Sequence, residues 1–111
     1  MRRPTITPLV WDVGPQLGVP ASHPYVRTFW TPVIGPGAVA DLLRLATAAS
    51  RGRSLPRPLH IATLVTHGLV HATAGDVRVR LVIPYLDAAT EALLHPRLKR
   101  DHRLAIRTRS G

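Results

Sequence analysis

The chain has 111 residues, which is one small domain at most, and its 45% hydrophobic content supports only a modest core. Its 15 Lys and Arg against 6 Asp and Glu give a formal net charge of +9, so polyanions and acidic surfaces are the partners to consider. Cysteine is absent, which excludes disulfides, thiolate metal sites and cysteine nucleophiles, and no apolar run approaches the roughly 18 residues of a membrane span.

Residues 1–24 read as a Pro-rich leader or arm, with prolines at positions 4, 8, 15, 20 and 24. That spacing forbids a helix and disfavours a central strand. Within it, Thr5 to Val13 reads either as one edge strand or as an arm packing Leu9 and Trp11 onto the domain. Pro8, Asp12 and Pro15 interrupt its apolar stretch, so it does not read as a signal peptide. Residues 25–95 form the compact part. Tyr25 to Ile34 reads as a short helix or helical turn closed by Gly35. From Pro36 to Ser50 the residues Val39, Leu42, Leu43, Ala46 and Ala49 recur at helical spacing, with Asp41, Arg44 and Thr47 on another face. Pro36 suits a first turn, and Arg51-Gly52-Arg53 ends the helix.

Ser54 is the expected N-cap of the next helix, with Pro56 in its first turn, although Pro58 requires a start near Arg57. Leu59, Ala62, Val65 and Leu69 would be its buried side, Arg57, His60, Thr63 and His67 its other side, and Gly68 its terminal glycine. Leu69 to Thr73 and Val77 to Ile83 read as two strands joined at Ala74-Gly75-Asp76. Val77, Val79, Leu81 and Ile83 share one strand face, and Arg78, Arg80 and Val82 the other. Leu86 to Leu94 reads as a last helix, with Asp87 near its start, Leu86, Ala89, Leu93 and Leu94 buried, and Pro96 closing it. Residues 96–111 read as a basic tail in which Arg97, Lys99, Arg100, Arg103, Arg107 and Arg109 outweigh Asp101.

The runs FWTPVIGPGAVADLLRLATAA, PLHIATLVTHGLV and IPYLDAATEALLHPRLKRDH, the last two separated by a basic ribbon, resemble a group of small uncharacterised actinobacterial proteins. Those proteins are similar to winged-helix (helix-turn-helix) DNA-binding domains. The resemblance covers about residues 27 to 102. It implies an α+β fold of winged-helix type, three to four helices with a two-stranded β-ribbon, in which a helix enters a major groove and the ribbon lies along phosphates. One departure stands out. Longer relatives place a further helix between the two assigned here, where this chain has only SRGRSLPRP.

The expected function is docking on duplex DNA, as a transcriptional regulator or a replication or accessory factor, in the cytoplasm and associated with the nucleoid. Arg78 and Arg80 would contact phosphates. Arg53, Arg57, His60 and Thr63 would lie near base edges, and Arg97, Lys99, Arg100 and Arg103 would add non-specific attraction. Fourteen of the fifteen basic residues are arginine, whose fork matches phosphates and guanine edges; a GC-rich genome gives the same bias, so the ratio alone decides nothing. The helix face and the tail read equally as solvated surfaces. Two other readings stay open: a module docking on an acidic protein partner, and an RNA- or ribosome-binding protein. Exposed apolar surface on the Pro36–Ser50 helix would favour the protein partner. Leu9, Val10 and Trp11, or the aromatic segment Tyr25 to Trp30, would supply a homodimer contact.

His60 and His67 lie two helical turns apart, roughly 10 Å, too far for one zinc ion without another element. No phosphate loop, nucleophile elbow or acidic pair at a useful spacing is present. The chain is therefore expected to be no enzyme, to need no metal or cofactor and to take no small-molecule substrate.

Overall fold

Helix α2 (Pro36–Arg51) is the element around which the others pack. The computed structural model describes residues 3–14 and 17–110; Pro15 and the Arg109 side chain lie outside the described residues. Val39, Leu42 and Ala46 are buried as their spacing predicts, and Ala38 and Leu45 widen the buried stripe. A stripe that wide needs cover from more than one side, which the helical turns before α2, the segment after it and the sheet provide. Asp41, predicted on a polar face, is buried instead. Its carboxylate accepts from Arg44 Nη1 at 2.9 Å and from the His60 backbone N–H at 3.1 Å, so burial leaves neither oxygen unpaired. Gly35 at φ 92° turns the chain into α2, and Gly52 at φ 63° ends it in the left-handed region that a side chain disfavours.

The helical turn predicted over Tyr25 to Ile34 is present as a π turn (Val26–Trp30) running into α1 (Thr31–Ile34). Pro32 offers no N–H and its ring would crowd the carbonyl four residues earlier; a widened turn just before it relieves both problems. Tyr25, Phe29 and Trp30 are core residues here. They are covered within one copy of the chain, and among the apolar residues of the dimer expectation Leu9 and Val10 are exposed and Trp11 partly covered.

The N-terminal segment does more than supply one edge strand. β1 (Thr5–Ile6) pairs antiparallel with β4 (Leu55–Pro56). β2 (Leu9–Val10) pairs parallel with β6 (Val77–Val79), and β3 (Gly18–Pro20) pairs antiparallel with β7 (Val82–Pro84). Each of the three sheets thus takes one strand from this segment. The fully buried Pro8 sits between the first two, where the chain leaves one sheet for the next.

The hairpin predicted between Leu69 and Ile83 is present in part. β5 (Val70–Ala72) pairs antiparallel with β6 in the register Val70↔Val79, His71↔Arg78, Ala72↔Val77. Thr73 and Asp76 close its turn through Thr73 N to Asp76 O at 2.8 Å. It is not a free two-stranded ribbon, because β2 covers the far edge of β6 and makes the sheet three-stranded, in the order β2-β6-β5. Nor does the second strand run on to Ile83. It breaks at Arg80–Leu81, and β7 joins β3 in a different sheet. Val77, Val79 and Ile83 are buried as predicted, and Leu81 at the break is only partly so.

The helix predicted from Ser54 or Arg57 begins later, as α3 (Ile61–Thr66). Pro56 and Pro58 keep the preceding residues extended, and Leu55–Pro56 becomes β4. The later start changes the buried set: Ile61 and Leu64 face the core, while Leu59 is 67% and Val65 41% exposed, and Ala62 also faces solvent. Gly68 at φ 71° ends the helical turn as predicted.

Toward the C-terminus, Asp87 caps α4 (Ala88–Glu91), its Oδ1 accepting from Thr90 N at 2.7 Å. Leu86 and Leu94 are buried, but Leu93 and Ala89 are exposed. Pro96 opens a helix instead of closing one: the predicted tail is α5 (Pro96–Ser110). His102 is buried, and Leu98, Ala105 and Ile106 pack on the core at the same helical spacing. The described residues form a small α+β domain with helices and three small sheets. No helix among the described residues is long and apolar enough to cross a membrane.

Two stability outcomes follow. Removing residues 1–22 takes a strand from every sheet, so the truncated chain should lose its cooperative thermal transition by circular dichroism. In Gly18→Ala, the new Cβ would overlap the Ile83 carbonyl, a backbone atom that cannot swing away. That variant should melt several degrees below the parent, whereas Gly75→Ala, with open space around it, should not.

Candidate nucleic-acid interface

The basic residues singled out in the sequence fall on three parts of the fold. Arg57 and Arg78 meet the hairpin turn. Arg57 lies just after β4, its N–H bonded to Pro4 O at 2.8 Å. It lines a cleft of about 330 Å³ together with Thr5, Thr7, Thr73 and the turn residues Gly75 and Asp76. Arg78 projects from the outer face of β6 and is held by Asp76 at 3.5 Å, with nearly half its side chain exposed. The cleft therefore places a guanidinium and hydroxyl side chains beside a second arginine, with the Asp76 carboxylate in the lining offsetting Arg78, Thr7 Oγ1 bonded to Ser54 Oγ and Thr73 Oγ1 accepting from Asp76 N.

Arg80 is placed differently from Arg78, although the two alternate correctly for one strand face. The strand ends at Val79, and the Arg80 side chain folds in beside Trp11 and residues 12–14. Its Nε and Nη2 are buried with no hydrogen-bond partner, and this desolvation lowers its pKa. Both two-pronged edges of a guanidinium use Nη2, so Arg80 cannot grip a phosphate bidentately from this position.

His60 does not share a helix face with Arg57, Thr63 and His67. It precedes α3, and its ring lies against the first turn of α2, where Gly37 has no Cβ to obstruct it. Thr63 is half-buried. His67 is exposed and packs edgewise on Trp30, with ring centroids 6.2 Å apart. The exposed side of α3 carries Ala62, Val65 and Thr66, and the Thr66 hydroxyl donates to Ala62 O. Arg53 lies beyond α2, near Arg44. Among the described residues, no group of three His, Asp or Glu side chains gathers as a metal site.

The third group is on α5. Arg97, Arg100 and Arg103 are exposed opposite the buried Leu98 and His102, and Lys99 is half-buried. Sequence reasoning took this stretch as tail and missed His102. The Leu98–His102–Ala105 spacing was the available signal. The Tyr25 hydroxyl accepts from the Leu86 N–H at 2.8 Å and bonds His102 Nε2 at 2.6 Å. His102 Nδ1 bonds Glu91 Oε2, and Arg103 Nε donates to Glu91 Oε1 at 3.0 Å. With Leu86 already donating to it, the Tyr25 O–H is free to donate to Nε2, and Nδ1–H then serves Glu91. The bonds from His102 and Arg103 hold the Glu91 carboxyl below its ordinary range. Burial pushes the Tyr25 hydroxyl up to about 12.

This chain of bonds fixes the base of the α5 arginines. Tyr25→Phe strands the Leu86 N–H and the His102 nitrogen in the core, so it should cost about 1–3 kcal/mol in chemical denaturation. The depressed Glu91 pKa stabilises the fold above the unfolded-state carboxylate range, and that contribution is lost as pH falls through the lower folded value. Glu91→Gln should accordingly flatten the acid side of the stability–pH curve. An unchanged acid limb would count against the linkage. No protein-family model, curated protein or solved structure matches the chain, so the functional reading rests on the geometry of these residues.

Proposed function

We propose that the protein binds duplex DNA through the hairpin turn and α5, chiefly by its phosphates, in the manner of a winged-helix module with a reduced recognition helix. The observation that carries this reading is the cleft at the hairpin turn, lined by Arg57 and threonine side chains, with Arg78 held next to it by the lining residue Asp76, on a chain of net charge +9. In chain order the elements run α2, β4, α3, β5 and β6, so a short helix precedes the hairpin as the winged-helix reading expects. The exposed α3 side offers small and apolar groups and a hydroxyl already engaged, so base edges would find few donors. The reading is therefore of low sequence discrimination, as for an accessory or nucleoid-associated factor. The exposed Leu9 and Val10 beside Trp11 would pair two copies on longer duplexes.

Binding should be comparable for unrelated duplexes in fluorescence anisotropy and should weaken steeply between about 50 and about 200 mM salt. Arg57→Ala with Arg78→Ala should lower affinity for all duplexes alike and reduce the log–log salt slope by roughly 0.9 for each phosphate no longer neutralised. Arg80→Ala should change the slope least of the arginine variants. A parent protein that binds no duplex at low salt, or a double variant with unchanged affinity and slope, would contradict the proposal.

A further inference from the structure

A second anion-preferring surface lies along α2, and it shares no lining residue with the hairpin cleft. Two depressions of about 410 and about 380 Å³ run between α2 and residues 53–60. Both are lined by Arg44 and Leu55, so the two lie end to end along α2 and are treated together as one groove. From Gly37 to Ala48 it extends roughly 16 Å along the helix, at ~1.5 Å per residue. Its floor is apolar, with Ala40, Leu43, Leu55, Pro56 and Leu59 among its residues. Leu59 stands 67% exposed there, beside the apolar Leu55, Pro56 and Pro58 of the same lining.

The rim is cationic. Arg3 and Arg53 are exposed at its edges, and Arg44 reaches out of it with 66% of its side chain exposed. Asp41 is the acidic residue in the lining, and it is already occupied by Arg44 and the His60 N–H. Asp41 offsets the charge of Arg44 but also fixes where that guanidinium sits. Arg3 and Arg53 remain in excess.

We infer that this groove is a docking site for an acidic amphipathic segment of a partner protein, about three helical turns long. Apolar side chains of the segment enter the floor and its carboxylates meet Arg3, Arg44 and Arg53. Charge complementarity selects an acidic occupant, and the floor selects against nucleic acid. A duplex presents phosphates and sugars along its backbone and has no aliphatic side chains with which to fill an apolar groove. Helix-in-groove docking combines these two needs.

The test uses the full chain and synthetic peptides by isothermal calorimetry. The probe carries leucines at i, i+4 and i+7 with glutamates elsewhere. One control replaces its leucines by serine, and another replaces its glutamates by lysine. The probe should bind in the micromolar range and each control at least tenfold more weakly. Leu59→Ser removes an exposed side chain, so it should leave the fold intact while weakening the probe about tenfold. Arg3→Glu with Arg53→Glu should weaken it further. Arg57→Ala with Arg78→Ala should leave the peptide unaffected whatever it does to DNA, which separates this inference from the DNA reading. The inference is overturned if the probe does not bind, or if the serine control binds equally well. Displacement of the probe by duplex DNA in step with loss of DNA binding in the Arg3 and Arg53 variants would assign the groove to nucleic acid. A concentration-dependent dimer in sedimentation that Leu59→Ser abolishes would assign it to a second copy of the chain.

Discussion

The N-terminal segment is the constraint on which the rest of the domain depends. Its prolines prevent it from folding on itself, and its short apolar pairs are too brief to form a sheet alone. It therefore lends two or three residues in turn to β4, β6 and β7. Each partner is itself only two or three residues long. Sheets of this size have little independent stability; they hold because one continuous segment ties them to one another and to the core beneath. Val19 and Pro8, both fully buried, show that the segment contributes packing as well as backbone hydrogen bonds.

The other end of the chain is tied down by polar chemistry. His102 is a buried side chain in an otherwise basic helix, and the Tyr25 hydroxyl serves it and the Leu86 N–H together. One oxygen thus joins the π turn, the start of the α4 region and α5. This arrangement lets α5 hold Arg97, Arg100 and Arg103 on a fixed surface rather than on a free tail. Fixed cations give up less conformational entropy on meeting a polyanion than mobile ones do.

The two surfaces proposed to meet negative charge differ in what accompanies their arginines. The hairpin cleft adds hydroxyl groups, which suit phosphates. The α2 groove adds aliphatic side chains, which the proposed peptide would use. The same excess of arginine supplies both, so net charge alone does not discriminate between them. The neighbours of each arginine do: Thr5, Thr7 and Thr73 around Arg57, and Leu43, Leu55 and Leu59 along the groove.

The sequence by itself determined the elements whose causes are local. The α2 helix follows from its apolar spacing, its end from Gly52, the hairpin turn from Ala74-Gly75-Asp76, and a helix start near Asp87 from that residue. Each depends on residues within a few positions of one another. Tertiary structure decided what depends on partners far along the chain. Leu55–Pro56 became a strand because Thr5–Ile6 lies beside it, and α3 began after Pro58 with Leu59 outside. The strand predicted through Ile83 broke at Arg80 because β2 and β3 draw its two halves into different sheets. That break turned Arg80 inward and left Arg78 outside, a distinction that the two-residue alternation cannot contain. His102 was legible as part of a helical stripe, but the hydroxyl and the carboxylate that make its burial favourable lie 77 and 11 residues away. Periodicity records which side of an element is apolar; only the packed chain decides which polar group finds its partner there.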